Sequence, residues 1–166
     1  YVGSTDCAEE WRARICYVLH GQGNFNEAIA AYAVASKQRP AMAGEYFRLL
    51  TAVCYMESGD RERAREWLTK VANWEAQESP MTIAYAEMLM GVQLPEDVED
   101  KVRQVEDYVL RKDHLTEFYY YRGMMDLLAG DRKAALAAFR RCTAELRPHN
   151  MEYFLARMQL VNLGKD

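Results

Sequence analysis

Gly23-Asn24-Phe25-Asn26-Glu27-Ala28-Ile29-Ala30-Ala31-Tyr32-Ala33-Val34-Ala35 holds a helix end, a helix start and one apolar stripe in a single stretch. A glycine suits the residue just past a helix, and an asparagine suits the cap of the next one. Asn24 and Glu27 also have the spacing of a capping box. Ala28, Tyr32 and Ala35 follow at steps of four and three, which places them on one helical face. The same triplet returns as Ala64-Leu68-Val71, Val98-Val102-Val105 and Ala135-Phe139-Cys142, with first members 36, 34 and 37 residues apart. A nearly constant period of this length is the mark of stacked supersecondary units. The small first member lets a neighbouring helix come close, and the large second member fills the space beside it.

The turn recurs as well. Gly59-Asp60-Arg61 and Gly130-Asp131-Arg132 precede the second and fourth triplets, and Pro40 and Pro148 stand where a helix could not continue. With Gly23-Asn24-Phe25-Asn26-Glu27-Ala28, Tyr32, Ala35 and Pro40 in the first copy, and Tyr119, Gly123, Gly130, Ala135 and Phe139 in the fourth, the chain resembles the tetratricopeptide repeat family. The second copy has Arg61 in place of the aromatic and no proline at the expected distance. The third matches in its second helix only, with Gln93-Leu94-Pro95-Glu96-Asp97 where the turn should be. The resemblance implies an all-α, right-handed superhelical solenoid of antiparallel helix pairs in one domain over 5–163. Its repeats would cover about 8–40, 41–78, 79–112 and 114–148, closed by a terminal helix over 150–163. That last helix is expected to be capped by Asn150. It should bury Met151, Phe154, Leu155, Met158 and Val161 and turn Glu152, Arg157, Gln159 and Asn162 outward. Tyr153, Leu160 and Gly164 also match the first half of a fifth repeat.

Composition agrees with a helical array. The 166 residues are 50% hydrophobic by a wide count, enough for a continuous core, and strand-like alternation is scarce. Net charge is −4, and the basic residues alternate with acidic ones, as in Asp60-Arg61-Glu62-Arg63-Ala64-Arg65-Glu66. This is a solvated helix face rather than a phosphate-binding stripe, so nucleic acid is not an expected partner. No apolar run reaches the length of a membrane span and no signal-peptide pattern opens the chain, so membrane insertion is not expected either. The start at Tyr1 suggests a processed or excised piece of a longer protein.

Chemistry-bearing residues are sparse. Cys7, Cys16, Cys54 and Cys142 form no C-x-x-C pair, and Cys16 and Cys142 occupy small-residue places, as buried thiols would. Unpaired thiols lean toward a reducing compartment, hence toward the cytoplasm. His20, His114 and His149 lie far apart in the sequence, no nucleophile has an evident base, and Glu96-Asp97-Glu99-Asp100 suits the positive end of a helix. No enzyme activity, cofactor or metal site is expected.

By the resemblance, function lies on the concave face lined by the first helix of each pair, here about 6–22, 41–58, 80–91 and 114–129. Carried over by register, the groove places are Ala13, Tyr17 and His20, then Tyr46, Leu49, Val53 and Met56, and in the fourth repeat Glu117, Tyr120, Met124 and Leu127. In the third repeat they are either Ile83, Glu87 and Met90 or Met81, Tyr85 and Met88. The family's carboxylate clamp finds no cation at Ala13 or Tyr17, so an apolar or amphipathic protein segment is the expected partner. Self-association through the groove or the terminal helix is a further expectation. The alternatives are a small secretion chaperone of the same repeat family, or an accessory domain of a larger enzyme or regulator.

Overall fold

The computed structural model describes residues 15–38, 44–73 and 80–164, and Cys7, Ala13 and Pro40 lie outside them. The described residues are helical, without strands. They comprise α1 (15–21), α2 (Phe25–Gln38), α3 (Gly44–Glu57), α4 (Arg61–Ala72), α5 (Pro80–Leu89), α6 (Pro95–Arg103), α7 (Tyr108–Leu128), α8 (Arg132–Ala144) and α9 (Met151–Leu163). Two compact units divide the chain, Tyr1–Trp74 with α1 to α4 and Glu75–Asp166 with α5 to α9.

Every odd-numbered helix from α1 to α7 ends in the same reversal. Gly23, Gly59, Gly91 and Gly130 have φ of 79°, 83°, 74° and 84°. A side chain in this left-handed region would cost roughly 1–2 kcal/mol, which glycine avoids. Each glycine N–H donates to the carbonyl three residues back, and the following N–H to the carbonyl five back: Gly59 to Met56 and Asp60 to Tyr55, Gly91 to Met88 and Val92 to Glu87. Two carbonyls that the helix end leaves unpaired are thereby satisfied. Asp60 then accepts the Arg63 N–H at 3.1 Å and Asp131 accepts the Ala134 N–H at 2.9 Å, starting α4 and α8. At the first turn the Asn24 amide instead donates to Gln22 Oε1 at 3.5 Å, so the reciprocal Asn24 and Glu27 pairing expected of a capping box is replaced by a local contact. In the third turn Leu94 offers no side-chain cap, and Pro95, which has no N–H to satisfy, opens α6.

The triplets form the seams. Ala28, Tyr32, Ala64, Leu68, Val71, Val98, Val102, Ala135, Phe139 and Cys142 are all buried. Gly123 on α7 is the tightest approach: a methyl group there would stand 2.5 Å from Phe139 Cε1 and 2.7 Å from Cδ1. In the first unit α2 and α4 pack on α3, and the rings of Tyr17, Tyr32 and Phe47 link α1, α2 and α3 with centroids 6.2 and 6.0 Å apart. In the second, α7 packs on α5, α6, α8 and α9. It begins at Tyr108 rather than near 114, because Asp107 caps it through the Leu110 N–H at 2.8 Å.

The terminal helix α9 is rotated from the expected orientation. Glu152, expected to face outward, is 1% exposed and accepts a 2.9 Å hydrogen bond from the Tyr121 hydroxyl, while Leu155 and Ala156 share its buried face. Phe154 and Val161 face solvent instead. Asn150 precedes the helix without capping it, its amide donating to the Asp113 carbonyl at 3.3 Å. Arg147 grips the Asp113 carboxylate with two bonds of 2.6 and 3.1 Å, and His149 adds a third contact at 3.2 Å. Burial works to raise the Asp113 carboxyl, but the Arg147 bonds and charge and then His149 outweigh it and hold it below its ordinary 3.8.

Two outcomes are expected. Gly123→Ala should gain about 1 kcal/mol of helix propensity but lose about 1–3 kcal/mol to overpacking, because Phe139 is fully buried beside Tyr120 and has nowhere to move. Urea unfolding should therefore show net destabilisation, and an equal or raised midpoint would contradict the close seam. For Asp113 the folded pKa lies below the unfolded one, so its contribution to stability is complete above about pH 3.8 and drains as pH falls through the folded value. Asp113→Asn should flatten that acid limb and speed amide exchange in 147–155 at neutral pH.

Candidate functional site

The left-handed glycines supply a ruler for the first helices. Counting back ten, six and three residues from Gly23, Gly59 and Gly130 gives Ala13, Tyr17, His20; Leu49, Val53, Met56; and Tyr120, Met124, Leu127. The same count from Gly91 falls on Met81, Tyr85 and Met88, the second of the two sets expected for the third helix. The ambiguity in the sequence came from an insertion: Val98 follows Gly91 by seven residues, whereas Ala28, Ala64 and Ala135 follow their glycines by five.

Burial then separates these positions into two groups. Leu49, Val53, Tyr85, Met88, Tyr120 and Met124 have essentially no exposed surface, and Tyr17 is also buried. They hold helices together, and a ligand cannot reach them without displacing the core. Tyr46, Met56, Met81, Glu117 and Leu127 keep part of their surface accessible, as do Ile83, Glu87 and Met90.

His20 is committed to the interior of the first unit. Its Nδ1 meets the Tyr32 hydroxyl at 3.0 Å and its Nε2 meets Glu57 Oε2 at 2.5 Å, with Phe25 packed edge-on at 6.1 Å. The ring is 2% exposed. Such a network ties α1 to α2 and α3 and leaves no imidazole edge for a ligand.

The second unit contains a comparable polar cluster. The Tyr85 hydroxyl donates to the His114 carbonyl at 2.9 Å, and the His114 ring contacts Glu117 Oε2 at 2.9 Å. The Tyr85 and Tyr121 rings lie 5.2 Å apart. Burial pushes both phenols well above their ordinary value, and the carboxylates of Glu117 and Glu152 add to the shift. Raised phenols stay protonated and serve as hydrogen-bond donors, a structural use. Cys16 is pushed up to about 11 by burial, and burial raises Cys54 and Cys142 further still, so these thiols are not poised as nucleophiles.

Residues on α9 were missing from the sequence-derived site. Gly164 follows α9 with a right-handed φ of −87°, unlike the four turn glycines, and counting ten, six and three back from it gives Phe154, Met158 and Val161. α9 packs on α7 and α8 in the way that α7 packs on α5 and α6, which supports the equivalence. On α7 the counterparts Tyr120 and Met124 are buried and Leu127 is part-exposed, whereas on α9 Phe154 and Val161 are exposed and Met158 is half-buried. The signal available in the sequence was Tyr153, which matches Tyr119 at eleven residues before the glycine.

Among the described residues no helix is long and apolar enough to cross a membrane, and no three His, Cys, Asp or Glu side chains are grouped as ion ligands. No curated protein matches the chain closely enough to lend it an activity. Residues 19–87 match the tetratricopeptide repeat family, from α1 through α2, α3 and α4 into α5. Such repeats generally mediate protein–protein interaction and are typically non-catalytic. The all-helical architecture and the recurrent glycine reversal agree with this match, which supports a tetratricopeptide repeat assignment for residues 19–87.

Proposed function

We propose that the chain is a protein-interaction module that takes an apolar or amphipathic protein segment on the inner face of its first helices. The observation that carries this reading is the apolar surface left accessible at inner-face positions of α9, where Phe154 is 37% and Val161 54% exposed beside Met158. In the first unit the accessible residues are Tyr46 and Met56, again an aromatic ring and a methionine. Side chains of this kind offer large contact area with adaptable shape, and burying them against a partner removes apolar surface from water. Glu117 supplies an acidic position on α7, which suits a segment with a basic residue flanking its apolar stripe. Tyr17, His20, Leu49, Val53, Tyr120 and Met124 act behind this surface by fixing the helices that present it.

A panel of dye-labelled amphipathic peptides, with apolar residues at helical spacing and lysine flanks, provides the test by fluorescence anisotropy. The double variant Phe154→Ala with Val161→Ala should weaken the best binder at least tenfold, about 1.4 kcal/mol, with circular dichroism unchanged because both side chains are exposed. Tyr46→Ala with Met56→Ala should act similarly for peptides that engage the first unit. Unchanged affinity in both doubles would remove the inner face from consideration. Loss of a protein dimer in sedimentation, with no peptide bound by the parent, would assign the α9 surface to self-association.

A further inference from the structure

We infer that the second unit carries a separate recognition site on α6, α7 and α8, a cleft that takes an acidic side chain of a partner polypeptide together with its apolar neighbour. The cleft encloses about 250 Å³ and is lined by α7 residues Phe118, Tyr119, Arg122 and Asp126 and by Ala134, Ala137, Ala138 and Arg141 of α8, with Glu99 of α6 at its edge. None of these lies at the inner-face positions, so the site stands or falls independently of the proposed groove.

Charge complementarity argues for the occupant. Glu99 is already paired with Arg103, whose guanidinium reaches it at 2.6 Å, and it also accepts the Tyr119 hydroxyl at 3.0 Å. Arg122 is held on both oxygens of Asp126 at 3.1 Å and pairs with Glu96 at 3.5 Å. These three ion pairs leave Arg141 as the lining cation without a direct ion pair. Arg141 lies over the Tyr119 ring with 5.4 Å to its centroid; its charge reaches Glu99 and helps to keep that carboxylate ionised, but among the described residues no carboxylate stands in direct ion-pair range of it. Stacking fixes a guanidinium plane without using its N–H donors, which remain available for a carboxylate in two-point contact. Beside this cation the floor is apolar, being formed by Phe118, Tyr119 and Ala138, all buried, with the open methyl group of Ala137 at the rim. The alanines on α8 hollow the cleft out, since any larger side chain at 134 or 137 would fill it. An acidic side chain therefore finds its ion pair at Arg141 while an adjacent Leu, Ile or Val occupies the alanine-lined floor.

The probe is an amide-capped pentapeptide with one glutamate between two leucines, titrated into the isotopically labelled chain by NMR. Its glutamine analogue and a leucine-rich peptide with a free C-terminal carboxylate serve as comparisons. The expected result is a set of saturable shifts at Tyr119, Ala134, Ala137 and the Arg141 side chain, at least tenfold weaker for the glutamine analogue. Two variants separate the contributions. Arg141→Gln removes the cation, and Ala137→Leu fills the cleft from an exposed position where folding is not at stake. Each should reduce affinity at least tenfold, whereas Phe154→Ala with Val161→Ala should leave it unchanged. The inference is overturned if the parent chain shows no saturable shifts at millimolar peptide. Equal binding of the glutamine analogue, shifts that map to α9 rather than to α7 and α8, or unchanged affinity in both variants would also overturn it. Preferential binding of the free C-terminal carboxylate would replace the acidic side chain by a chain terminus as occupant and so refute the form stated here.

Discussion

The architecture depends on one backbone constraint, the left-handed glycine that ends the first helix of each pair. At Gly23, Gly59 and Gly130 the chain reverses within three residues, and at Gly91 within five, while two helical carbonyls are satisfied, and a positive φ does both. Once reversed, the following helix can only run back along the one before it. The small members of the triplets then decide how close it comes. Gly123 against Phe139 is the extreme case, where the absence of a side chain on α7 is what admits an aromatic ring from α8.

Polar chemistry in this protein is largely spent on holding helices together. His20, Tyr32 and Glu57 join three helices in the first unit, and Tyr121 with Glu152 joins α7 to α9 in the second. A buried, hydrogen-bonded carboxylate such as Glu152 fixes the rotation of its helix, because any other setting would leave it desolvated and unpaired. That rotation has a consequence at the surface. With Glu152, Leu155 and Ala156 turned inward, Phe154 and Val161 are left facing water. The interior network and the proposed recognition surface are thus two sides of one helix setting.

The two proposed recognition surfaces of the second unit differ in chemistry. The accessible residues of the proposed groove are apolar, with Glu117 as the acidic member, whereas the inferred cleft combines an apolar floor with the Arg141 guanidinium, which has no direct ion pair among the described residues. Two segments of different character, or two regions of one partner, could therefore be held without competing. Linking two modest sites in this way raises avidity without strengthening either one.

The sequence by itself determined the helical class, the pair-by-pair organisation and the seams, because the 3.6-residue period, the glycine turns and the triplets are local signals that survive without tertiary context. Ala28, Ala64 and Ala135 with their partners were legible for that reason. It left the third register open, since two extra residues after Gly91 break the count and only the backbone φ identifies the equivalent glycine. The start of α7 was missed because Asp107 follows a short α6 without any glycine to announce it. Tertiary structure alone decided which groove-register residues are accessible. Leu49, Val53, Tyr120 and Met124 share a periodicity with Tyr46, Met56 and Leu127, and periodicity reports a face, not the depth at which neighbouring helices cover it. For the same reason Glu152, charged by type, turned inward: a hydroxyl contributed from Tyr121, 31 residues earlier in the chain, made burial affordable.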